Sequence, residues 1–241
     1  MNELLDLAVK AHGGLERWKQ ISKISARTSG KGALWHLKGN PGLLDDYKLE
    51  INTREQHVVL EGFSAVDKRS VFTPERVTIE SIATGETLLF RDNPRAAFDG
   101  HVLSTPWDDL HVAYFASYAM WVYLTQPFLY TYPGFVTEEL SPWQENGETW
   151  RRLKVIFPDY IASHCREQIS YFGEDGLLRR HDYNTDVIGR GSPAANYASD
   201  YQEVNGIIVP TKRRVYPVQE GGLKAPEPLI VSIDMSEISI A

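Results

Sequence analysis

The chain has one cysteine, Cys165, so it can form no internal disulfide and no thiolate metal cluster of its own. It also lacks an excess of positive charge: 25 Lys and Arg stand against 32 Asp and Glu, a net charge of −7. Neither nucleic acid nor an anionic membrane surface attracts such a protein without a concentrated basic patch. The basic runs Arg151-Arg152, Arg179-Arg180 and Lys212-Arg213-Arg214 fall on expected strands, where neighbours point to opposite faces. No apolar run is long enough to span a bilayer, and Met1-Asn2-Glu3-Leu4-Leu5-Asp6 has no basic stretch leading into an apolar one. The expectation is a cytoplasmic protein without membrane insertion. Motifs for common chemistry are missing as well: there is no phosphate-binding glycine loop with Lys, no G-x-G-x-x-G after a strand, no H-E-x-x-H and no G-x-S-x-G. That argues against nucleotide-dependent chemistry and the common hydrolases, and no cofactor is expected.

Aromatic residues, by contrast, are abundant: six Trp, twelve Tyr and nine Phe, enough with the aliphatics for a sizeable core. They concentrate in Thr105-Pro106-Trp107-Asp108-Asp109-Leu110-His111 and on through Tyr114, Phe115, Tyr118 and Trp121 to Pro127. This stretch reads as one helix, capped by Thr105, with Pro106 at its first position and Asp108 and Asp109 at the positive end of the dipole. So many of its positions are apolar that it should be wrapped on several sides.

Around it the texture is that of short strands. Residues 2–21 form a helical segment broken at Gly13-Gly14, after which 23–31, 33–38, 46–52, 57–63, 68–73, 76–82 and 86–91 alternate like strands. Beyond the helix, strands flank the turn signals at Asn146-Gly147, Asp175-Gly176 and Asn205-Gly206, and Leu229–Ile238 closes the chain. Successive hairpins imply an antiparallel meander. The expected class is α+β: one domain over 1–241 with a strongly curved sheet or open barrel of nine to twelve strands. Its parts are an N-terminal helical segment (1–21), a first strand set (22–104), the aromatic helix (105–127) on the concave side and a second strand set (135–241).

A leading helix ending in Ala11-His12-Gly13-Gly14, followed by Trp18 and Ile21, many antiparallel strands and the hairpin Tyr201-Gln202-Glu203-Val204-Asn205-Gly206-Ile207-Ile208-Val209-Pro210 resemble the lipoprotein-localisation carriers and their LolA-like relatives. The likeness fits a bacterial branch of that superfamily better than the carriers themselves. It implies an incomplete barrel wrapped around helices with an apolar cavity between them, and it brings no catalytic motif.

Candidate chemistry rests on a few polar residues. On a strand, Arg179, His181 and Tyr183 share one face about 7 Å apart, a base, a phenol and a cation suited to proton transfer and anion stabilisation. Tyr171 on the neighbouring strand is expected on the same face. His111 follows Asp108 by three residues, which places a carboxylate beside the imidazole. Trp107, Tyr114, Tyr118, Trp121 and Tyr171 are the expected substrate-binding wall, and His111, His181, Tyr183, Asp108 and Arg179 the expected catalytic set. A metal held by His111, His164 and His181 is the lesser alternative to no metal at all. Two functions follow: a cofactor-independent lyase, isomerase, cyclase or hydrolase acting on a small hydrophobic or aromatic molecule, or a non-catalytic carrier for an apolar molecule or acyl chain.

Overall fold

The computed structural model describes residues 2–189 and 191–241. Two short helices, α1 (Glu3–Ala11) and α2 (Leu15–Trp18), lead into strands β1 (Lys23–Lys31), β2 (Tyr47–Asn52), β3 (Val58–Glu61), β4 (Lys68–Thr73), β5 (Arg76–Ser81) and β6 (Thr87–Asp92), with α3 (Ala33–Leu37) between β1 and β2. The long helix α4 (Asp109–Thr125) follows, then β7 (Val136–Glu145), β8 (Glu148–Ile156), β9 (Glu167–Phe172), β10 (Leu178–Asn184), β11 (Pro193–Val204), β12 (Ile207–Pro217) and β13 (Val231–Ile240). All thirteen strands form one antiparallel sheet in the order β6-β5-β4-β3-β2-β1-β13-β12-β11-β10-β9-β8-β7. The first and last strands pair with each other, Ile24 opposite Ile240 and Ser29 opposite Asp234. The strands that flank α4 in sequence, β6 and β7, are therefore the two unpaired edges. The sheet stays an open barrel, and the segment between its edges carries α4 across the concave side.

Local chemistry explains most of these elements. The turns at Asn146-Gly147 and Asn205-Gly206 have positive φ at both residues (51° and 81°, 51° and 79°), the twist that joins antiparallel strands most tightly. Segment 33–38, read as a strand, is helix α3 instead. Leu34 and Trp35, adjacent in sequence, are both buried, as a helix allows and a half-exposed strand does not. Gly32 before it has φ +125°, and a Cβ there would meet the Ile230 carbonyl oxygen at 2.4 Å.

Helix α4 begins later than expected. Asp108, not Thr105, is the cap: its carboxylate accepts from the His111 N–H at 2.9 Å, while the Thr105 hydroxyl accepts from the Val102 N–H. Every residue from Leu110 to Tyr130 is buried, so the helix is surrounded by protein. Its indole and phenol tips are served accordingly: Trp121 Nε1 donates to the Asn52 and Glu55 carbonyls at 2.7 and 3.0 Å. Among the described residues no helix is long and apolar enough to cross a membrane.

Candidate functional site

A cavity of about 700 Å³ opens between α3, the loop through Leu103, the segments 185–188 and 191–194 and the ends of β12 and β13. Its walls are chiefly apolar, among them Leu34, Phe115, Ile188, Ala194, Val215 and Ile230. The volume is that of a pocket for a small organic ligand. Leu37 and Leu103 stand at its lining 44% and 50% exposed, which marks the side open to solvent. The Leu103 loop is pinned by Lys38, whose Nζ donates to the carbonyls of Val102, Leu103 and Thr105 at 3.1, 2.7 and 3.1 Å.

Inward, a smaller void of about 40 Å³ continues the cavity between α4 and strands β1, β12 and β13. The two share Phe115, Tyr183, Val215 and Val231. On the helix side the inner void is lined by Phe115, Ala116, Ala119, Met120 and Tyr123, a stripe at helical spacing. Ala116 and Ala119 leave space between the bulkier Phe115, Met120 and Tyr123.

Behind that floor lies a chain of buried polar groups. The Tyr183 and Tyr123 hydroxyls meet at 2.7 Å, the Tyr123 hydroxyl is 2.8 Å from His164 Nε2, and the Tyr118 hydroxyl is 3.1 Å from His164 Nδ1. A neutral imidazole donates from one nitrogen and accepts at the other, so the four groups form one directional chain. Burial, reinforced by Arg95, pushes His164 down to about 3. Burial also raises Tyr123 to about 12 and lifts Tyr118 and Tyr183 well above the usual phenol range. A second set adjoins it: Gln126 Nε2 donates to the Tyr130 hydroxyl at 2.7 Å and to His181 Nδ1 at 3.1 Å, and Tyr130 is 2.7 Å from the Ser170 hydroxyl. Burial, Arg213 and His164 hold His181 well below its ordinary value.

The expected site residues do not converge. Tyr183 is at the cavity, but Arg179 is not with it. The β9–β10 register shifts between Leu178 and Arg180, and Arg179 turns to Asp175 at 2.7 Å and Glu148 at 3.6 Å by the hairpin end. His181 lies on the inner face yet is wholly buried behind the floor. Tyr171 stands opposite Arg180, on the other face of the sheet from His181, and donates to Asp182 at 2.7 Å. His111 and Asp108 do sit together, with Nδ1 2.7 Å from the carboxylate. The pair closes the N-terminus of α4, and His111 Nε2 donates to the Ala97 carbonyl at 3.2 Å. Tyr114, Tyr118 and Trp121 lie on other sides of α4 and Trp107 precedes it, and none of the four lines either void. His111, His164 and His181 have these separate partners, and among the described residues no group of three or more His, Cys, Asp or Glu is placed to hold a metal ion. The stripe Phe115–Tyr123 that lines the inner void, and the contacts of His164 with Tyr118 and Tyr123, were not expected from the sequence.

The fold is that of LolA superfamily structures. A LolA superfamily protein from Nitrosomonas europaea superposes with a TM-score of 0.51 over 98% of this chain and 91% of its own, at 9% identity. A DUF1329 family protein from Desulfovibrio piger gives 0.52 over 98% and 91% at 12% identity. A domain named for outer membrane lipoprotein sorting, from Vibrio parahaemolyticus, gives 0.53 over 99% and 93% at 10% identity. No family model and no curated protein matches the sequence. These neighbours overturn the expectation of a cofactor-independent enzyme. They carry LolA and lipoprotein-sorting names, and of the expected acid–base set only Tyr183 lines the cavity, while His111 with Asp108 serves a helix cap, Arg179 a hairpin ion pair and His181 a buried hydrogen bond to Gln126.

Proposed function

We propose that the protein is a non-catalytic carrier that takes an apolar small molecule or acyl chain into the cavity under α3. The observation that carries this reading is the cavity itself: about 700 Å³, walled by aliphatic and aromatic side chains, continued inward along the alanine stripe of α4. A void of that size lined by apolar atoms favours hydrocarbon over water, because its walls offer water few hydrogen-bond partners. The placement of α4 supports it further. A sheet open between β6 and β7 can part slightly from its helix without breaking a closed ring of strand pairing, so the 40 Å³ inner void can widen around a chain. The names of the structural neighbours point the same way.

The test is a titration with an environment-sensitive apolar fluorophore, followed by competition with aliphatic compounds of increasing chain length. Saturable binding with competition that strengthens with length supports the reading. No saturable binding removes it.

A further inference from the structure

Among the described residues two arginines, Arg180 and Arg213, are wholly buried, and their surroundings differ. Arg180, on the convex face, has Glu145 at 2.8 Å and Asp182 at 2.6 and 2.8 Å, and it also donates to the Gly222 carbonyl. Arg213, on the concave face, has no carboxylate partner among the described residues. One nitrogen, Nη2, donates to the Tyr123 carbonyl at 2.8 Å and to Gln126 Oε1 at 3.4 Å; Nε and Nη1 donate to nothing. A buried guanidinium with two idle donors and no counter-charge is costly, and natural proteins retain such groups for a partner.

The idle donors have company. In the sheet His181 lies opposite Asn196 and Asn196 opposite Val215, one pleat from Arg213 on the same face. Because His181 Nδ1 accepts from Gln126, its proton is on Nε2, and that N–H has no acceptor. Neither amide atom of Asn196 has a partner at good hydrogen-bond geometry, and the amide lies beside the Tyr123 hydroxyl. All three side chains are at most 1% exposed. Val215 lines both voids, Tyr123 lines the inner one, and the Arg213 guanidinium covers the Tyr123 ring at 4.5 Å. The cluster thus lies just past the inner end of the cavity.

We propose that Arg213, with the His181 Nε2–H and the Asn196 amide, receives the carboxylate head of the carried molecule, so that the ligand is a long-chain monocarboxylate with its tail in the apolar cavity. This deepens the carrier reading and rests on it. The site offers one full positive charge and otherwise neutral donors, which matches a single negative charge. A phosphate dianion would leave excess charge in the interior. The idle Nε–H and Nη1 lie on separate edges of the guanidinium, so one carboxylate oxygen meets one of them while the His181 Nε2–H or the Asn196 amide serves the other oxygen. On binding, the head takes over from the Tyr123 ring as the guanidinium's partner.

The experiment is a calorimetric titration at pH 7.5 of the full chain with dodecanoate, methyl dodecanoate and dodecyl phosphate, on the wild type and on Arg213→Met. The expected result is dodecanoate at least tenfold tighter than its methyl ester in the wild type. In Arg213→Met that preference is lost while ester affinity stays within twofold. Equal affinity for acid and ester in the wild type overturns the head-group assignment and leaves the carrier reading standing. Tighter binding of dodecyl phosphate overturns the single-charge argument. Binding of none of the three overturns both inferences. The wild-type comparison decides the matter even if the variant does not fold.

Discussion

The hydroxyls of Tyr183 and Tyr123 meet at 2.7 Å, joining a strand residue at the cavity wall to the alanine-lined face of the long helix. Through Tyr123 the contact runs on to His164 and Tyr118. It holds sheet and helix together where the cavity narrows. Tyr183→Phe keeps the ring and removes the hydroxyl, leaving Tyr123 its bond to His164. The expected cost is about 1 kcal/mol, read as a lower urea midpoint at unchanged slope. Affinity for an apolar probe should stay within twofold, since no proton transfer is asked of this tyrosine.

The convex-face ion cluster is structural. Arg180 is fully buried between Glu145 and Asp182, and Trp143, Tyr171 and Tyr197 crowd its guanidinium. Arg180→Ala strands two carboxylates in that setting and should cost about 3–5 kcal/mol. Chemical denaturation checks the size of the loss.

Low pH should unfold the protein earlier than its carboxylates alone would. Burial holds His12 at about 4 and His164 at about 3, and burial with Arg213 and His164 keeps His181 well below the ordinary 6.5. All three are neutral in both states above pH 6.5, where they leave stability unchanged. Below it the unfolded chain binds protons that the folded one refuses, so stability falls down to about pH 4 for His12 and about pH 3 for His164. The slope is about 1.4 kcal/mol per pH unit for each group. Unfolding curves at pH 7, 6, 5 and 4 should show the decline, and His164→Gln should make it shallower.

The α4 cap is separable from ligand binding. Asp108→Ala should destabilise by about 1 kcal/mol through loss of the bond to the His111 N–H, with no change in probe affinity, because neither residue lines the cavity. A thermal melt beside a binding titration measures both effects.

The meander was legible from short-range chemistry: the Asn-Gly pairs at 146–147 and 205–206 turn the chain where their backbone preference requires. The helix was legible as an element too, bounded by its acidic start and Pro127. Which of its faces borders the inner void was not. A helix apolar all round has no direction for periodicity to reveal, so Trp107, Tyr114, Tyr118 and Trp121 were as plausible as the stripe through Ala116 and Ala119. Strand β10 failed for a different reason. One extra residue at a bulge moves Arg179 out of line with His181 and Tyr183, and alternation cannot show a bulge. His164, in an irregular segment beside Cys165, gave no pattern at all. Only the fold brings it to Tyr118 and Tyr123.

Native mass spectrometry of protein equilibrated with methyl dodecanoate tests most directly whether the cavity under α3 holds an apolar ligand. Ala194, in the cavity wall, is the position to fill. The wild type should carry one ester molecule per chain, and Ala194→Trp, with an intact thermal transition, should carry none. A wild type that stays unloaded, or a folded variant that loads as fully as the wild type, would contradict the account.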